Sequence, residues 1–200
     1  MCWNQSVSMN TFLVGLFAVL LAVHNNLLSY VGALGAMAFI SMQLLEYFAW
    51  GNINNKQIIS LLSKIGLALV LLQPLLIFTP SLPVNVLYPF IGLYITFIIA
   101  GFTLIKPLSD IVFSMHKAAN GHLAWEWLEL PYIIPLIWFS FFIFPLIYSK
   151  RYLFTSLMTL AFGISFLTYY ESNTWGSTWC WLSNIYSLYL LGSIFAKELC

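Results

Sequence analysis

One carboxylate in this sequence stands where a carboxylate is expensive. Glu46 lies in "SMQLLEYFAW", inside a long apolar run. A charged group within a membrane-spanning segment usually faces a cavity or a partner. It can bind a proton, a small cation or a polar substrate. Alternatively, four residues from Trp50, it can reach out to water at the membrane interface. Gln43 lies three residues earlier on the same helical face and would extend a polar lining. A second cluster is "GHLAWEW", residues 121–127. If that stretch is helical, His122 and Glu126 share one face at i, i+4, and Trp125 and Glu129 share the next. The pair suits acid–base exchange, metal binding or pH sensing, because imidazole titrates near neutrality. The same pattern also suits an amphipathic helix lying at headgroup level. A third stretch, "GSTWCW" at 176–181, sets Trp179 and Trp181 around Cys180, with Trp175 just before, and the chain opens on "MCWN".

The elements that must position these residues follow from composition. The chain has 200 residues, 62% of them hydrophobic and 6% charged, against roughly 25% charged in a soluble domain. The expectation is an all-α integral membrane protein, a bundle of about seven transmembrane helices forming one domain. Transmembrane β-strands would alternate in polarity over about ten residues, and these runs do not. A spanning helix needs about 20 mostly apolar residues. The spans read as about 7–25, 27–50, 58–78, 84–105, 132–148, 152–170 and 179–196. "HNN" turns the chain tightly after the first, "GNINNKQ" and "TPSLP" flank the third, "SKR" follows the fifth, and a long polar stretch occupies 106–131. The net charge of +1, with no basic run beyond Lys150–Arg151, argues against nucleic acid as a partner. No signal peptide with a charged leader is expected; the first span would serve as the targeting signal.

Seven spans place the termini on opposite sides. On the N-terminal side fall Trp3, Trp50, Trp125, Trp127, Trp175, Trp179 and Trp181, seven of the eight tryptophans. Glu46, His116, His122, Glu126, Glu129 and Glu171 gather there too. An interfacial aromatic belt would occupy both faces, so the asymmetry suggests rings packed around a site, walling a cation or sealing it from lipid. Basic density in the Lys150–Arg151 turn favours the opposite face as cytoplasmic, which makes the N-terminal face lumenal or extracellular. There a Cys2–Cys180 disulfide is permitted; the alternative is two thiols packed as small hydrophobes.

Other features read as architecture. Gln73–Pro74 within the third span is a hinge or a tolerated kink, as are Pro135 and Pro145 in the fifth. Gly32, Gly35 and Ala36 in "GALGAMA" allow close helix packing. Asn184 and Ser187 line a path or bond across helices. No HExxH, CxxC or HxxxH occurs, so no zinc site is expected. Lys197, at the end of the last span, is poorly placed for a retinal Schiff base.

Taken together, "MCWN", "QLLEYFAW", "QP", "GHLAWEW" and "GSTWCW" resemble a family of small multi-pass membrane proteins from large DNA viruses of protists and microbial eukaryotes. The shared positions here are Cys2 and Trp3; Gln43, Glu46 and Trp50; His122, Trp125 and Trp127; and Trp179, Cys180 and Trp181. The resemblance implies no activity. A weaker likeness, to small transporters and receptors of two three-helix repeats joined by one helix, lacks their Pro-Gln pair. Three functions are in view. The first is a channel or carrier for protons or small cations, with Glu46 as the ion-binding carboxylate and His122 as gate or relay. The second is a lipid-modifying membrane enzyme using His122 with Glu126 or Glu46. The third is a structural or assembly protein of a viral membrane. The first leads; homo-oligomers are compatible with each.

Overall fold

The computed structural model describes residues 4–76, 82–182 and 184–198, the last three by backbone alone. Among the described residues, five helices are long and apolar enough to cross a membrane: α1 (Gln5–His24), α2 (Tyr30–Gly51), α3 (Lys56–Leu76), α4 (Val84–Ala100) with its continuation, and α6 (Tyr152–Tyr169). The continuation of α4 is a π-helix, Gly101–Ile105. α5 (Ile133–Tyr148) is apolar but shorter. At 1.5 Å per residue it is about 24 Å long, short of a roughly 30 Å hydrocarbon core.

The helix starts follow capping chemistry. The Asn4 side chain accepts from the Val7 amide at 2.9 Å, and Ser29 Oγ accepts from Gly32 at 3.1 Å. Each satisfies a donor that the first helical turn leaves orphaned. Because Ser29 is the cap, the first turn runs from Asn25 to Ser29 and is longer than "HNN" alone. α1 and α2 pack through small residues. Gly15 is so close to Ile40 that a Cβ there would lie 2.9 Å from Ile40 Cγ2. Ala18 and Ala22 of α1 and Gly35 and Ala36 of α2 are all buried.

The seventh span expected at 179–196 is not one helix. α7 (Trp175–Leu182) ends early and α8 (Ile185–Glu198) begins after a turn. The cause is Asn184. Its side-chain amide donates to the Cys180 carbonyl at 2.8 Å and its backbone N–H to Trp181 at 3.1 Å. A short polar side chain bonded to nearby backbone competes with the helical ladder. α8 then packs on α1, while α7 packs on α6 and α2.

The 106–131 stretch is not helical at "GHLAWEW". It forms an antiparallel ribbon, β1 (Met115–Lys117) with β2 (Leu123–Trp125), in the register Met115–Trp125, His116–Ala124, Lys117–Leu123. A short 3-10 turn, Glu126–Leu128, follows. Asn120–Gly121 makes the bend, with Gly121 at φ +83°, where a Cβ would be strained. β1 contacts α3 and β2 contacts α7. Leu123, Ala124, Trp125, Trp127 and Leu128 are all buried, so the ribbon is a plug rather than a surface strap. Trp125 reaches Gly66, about 15 Å along α3 from Lys56. Irregular backbone at such depth is tolerable where protein encloses it.

Gln73–Pro74 sits in α3 without ending it. Pro74 removes the N–H that would bond the Val70 carbonyl. Trp138 Nε1 of α5 donates to that carbonyl instead, at 3.2 Å, and Tyr94 Oη of α4 donates to Leu71 at 2.7 Å. The kink is thus tolerated because neighbouring helices supply the missing donors. The Gln73 side chain is itself fully buried, and neither amide atom has a hydrogen-bond partner. Outward faces stay apolar, with Leu104 81% and Leu167 85% exposed. A fold that presents leucines outward along long apolar helices suits hydrocarbon surroundings. The break at "TPSLP" falls largely outside the described residues.

Candidate functional site

Glu46 and Gln43 are both fully buried on α2. α2 packs on α7, and Met42, next to Gln43 and one turn before Glu46, shares a small gap with Trp179 and Cys180. Around them the core is aromatic. Trp179 of α7 presents its ring against Phe39, Phe139, Phe142 and Phe162, each with centroids 5.6–6.0 Å apart and planes near perpendicular. Phe139 and Phe162 stack at 4.0 Å. Such edge-to-face pairs place the positive ring edge on the negative face. Trp125, Trp127, Trp175, Trp179 and Cys180 line one narrow apolar gap of about 10 Å³ beside Met42, one helical turn before Glu46. A gap of that size holds at most about one water.

The ribbon carries the titratable residues differently from the helical expectation. Because 123–125 is a strand that separates them, His122 and Glu126 do not form a helical i, i+4 pair. Glu126 pairs instead with His116, Nδ1 to Oε1 at 2.6 Å. The two are diagonal neighbours on one face of the ribbon, two residues out of direct register. This pair is largely solvent-accessible; the His116 side chain is 56% exposed. His122 is buried at the ribbon tip, its ring edge-on to Tyr169 of α6 at 5.2 Å. Burial pushes its imidazole below the ordinary range.

Several residues that sequence reasoning missed hold this assembly together. Trp125 Nε1 donates to Ser177 Oγ at 2.9 Å, and that hydroxyl donates to the Leu123 carbonyl at 2.8 Å. The Asn120 side-chain amide donates to Ser172 and Thr174, at 3.0 and 2.9 Å, and its oxygen accepts from the His122 amide. Trp125 N–H donates to the Asn173 carbonyl. The ribbon is therefore tied to the 170–174 loop and to α7. Gly66 and Gly176 admit it: a Cβ on Gly66 would strike the Trp125 ring, and one on Gly176 would strike Leu128. The Asn-Gly dipeptide at 120–121 is the sequence signal for this hairpin; nothing local marks Gly66 or Ser177 as its socket.

Of the remaining residues singled out from the sequence, Trp50 and Trp181 are half-buried near the ends of α2 and α7. Cys2 and Trp3 lie outside the described residues, and so does the proposed Cys2–Cys180 bridge; Cys180 is buried. Among the described residues, no three His, Cys, Asp or Glu side chains converge as a metal-binding group. The chain matches no family model, no curated protein and no solved structure.

Proposed function

We propose that this is an integral membrane protein that carries protons or another small cation, with Glu46 as the ion-binding carboxylate. One observation carries the reading: a glutamate with no exposed surface, on a helix long and apolar enough to cross a bilayer. Ionisable groups so enclosed are costly to keep and mark ion or substrate pathways. Gln43 adds a second fully buried polar side chain one turn away. His122, on the ribbon that packs on α7, is the relay or gate of this reading. An imidazole can take up and pass on a proton, which suits that role, and burial moves its titration toward lower pH. The face bearing the ribbon is lumenal or extracellular, and the Lys150–Arg151 turn is cytoplasmic, in keeping with the positive-inside rule.

The test is flux. Purified protein is placed in liposomes with an internal pH dye, a potassium gradient and valinomycin, and wild type is compared with Glu46→Gln from pH 5 to 8. Proton entry that the substitution removes supports the reading. Entry no faster than in empty liposomes sinks it for protons. The second reading is a structural or assembly protein of the membrane. The interlocked ring core around Trp179 favours it. It expects no flux from either protein.

A further inference from the structure

α4 meets α5 through aromatic contacts, Phe90, Tyr94 and Phe97 against Phe141. Along its length only Phe90 and Tyr94 are buried. Between it, α3 and α5 lies a cleft of about 90 Å³, walled almost wholly by apolar atoms. Its volume accommodates roughly six to nine groups the size of a water or a methylene. Two features distinguish it from a packing defect. First, α4 switches to a π-helix at this point, with Lys106 N–H bonded five residues back to Gly101 at 3.0 Å. Single π-turns recur at functional sites. A Cβ on Gly101, which lines the cleft, would meet nothing within 4 Å. Trp127 and Trp175 turn ring carbon toward the cleft. Second, Lys106 stands at the cleft; its ammonium gives one hydrogen to the Glu129 carbonyl at 2.8 Å and has two more to give.

A ligand that answers both is elongated and apolar and ends in an anion. We propose that this cleft binds one acyl chain of an anionic phospholipid. The chain lies along Leu67, Ile98 and Gly101, and the phosphate is held by Lys106 at the cleft's end. The proposal is independent of ion movement at Glu46, and its test reads no flux.

The tryptophans at the cleft are the reporters. Protein is reconstituted in phosphatidylcholine vesicles in which increasing shares of either phosphatidylglycerol or phosphatidylcholine carry chain-brominated tails, and quenching of tryptophan fluorescence is followed. Brominated phosphatidylglycerol should reach half its effect at about a fivefold lower share than brominated phosphatidylcholine, the preference expected for one lysine at an anionic lipid. Gly101→Phe, which fills the cleft, and Lys106→Gln, which removes the charge, should each abolish that difference while the thermal melt shows the fold retained. Equal quenching by the two lipids overturns the proposal in favour of an unselective annular lipid. A preference that survives either substitution overturns it too.

Discussion

Trp125 and Trp127 stand two residues apart, their rings 5.5 Å apart and tilted by 70°, and the molecule treats them in opposite ways. Trp125 faces α3 and α7. Its ring fills the space that Gly66 leaves, and its N–H is bonded to Ser177, which in turn caps the Leu123 carbonyl. Trp127 lines the cleft toward α4 and α5, and its N–H has no acceptor. The first side of the ribbon is saturated and close-packed; the second keeps an open volume and an unused donor. Depth and residue type are the same, so neither explains the difference. What differs is the opposing surface: a glycine and a serine on one side, and on the other the apolar cleft toward α4 and α5.

The most damaging way to break the contrast is to close the socket of Trp125. Gly66→Val places branched carbon inside the ring, and overpacking of this kind costs about 3 kcal/mol or more. The ribbon should leave its seat, seen as a lowered melting temperature in detergent and new protease cleavage between residues 106 and 131. Intact resistance there would mean that Gly66 is not the socket. Ser177→Ala is expected to be milder. It strands a buried indole N–H and a buried carbonyl together, at about 1–3 kcal/mol.

The two rings can then be compared directly. Both Trp125→Phe and Trp127→Phe lose the same buried ring volume, but only the first loses a made hydrogen bond, so it should cost about 1–3 kcal/mol more than the second. Melting temperatures in the opposite order would refute the distinction. The smallest effect concerns pH. Burial holds His122 below the ordinary imidazole range in the folded chain. As pH falls through about 6.5, the unfolded chain takes up this proton before the folded one. Stability present above that pH is therefore lost below it. Melts at neutral and acidic pH should diverge in wild type, and His122→Asn should lose that part of the drop.

Much of the helical frame was legible from hydropathy alone. The ends of α2, α3, α4 and α6 fall close to where apolar runs meet polar residues, because lipid-sized runs and their breakers are local properties. Gln43 and Glu46 were also legible as buried candidates, since a polar side chain in such a run has little choice but to face inward. The ribbon was not. "GHLAWEW" satisfies a helical spacing on paper, and the Asn120–Gly121 bend outweighs it, giving Glu126 to His116 and leaving His122 to Tyr169. The division of the last span at Asn184 likewise turned on one side chain bonding to its own backbone.

By itself, then, the sequence determined that long apolar helices form, where most of them start and stop, and which carboxylate stands inside one of them. These follow from the solvation of backbone and side chain, which neighbouring residues largely set. Only the tertiary structure decided which tryptophan is anchored and which borders an open cleft, that Pro74 is repaired by Trp138, and that Gly66 and Ser177 receive the ribbon. Those outcomes depend on surfaces far apart in the chain meeting with matching volume and hydrogen-bonding capacity, and no local pattern encodes that match.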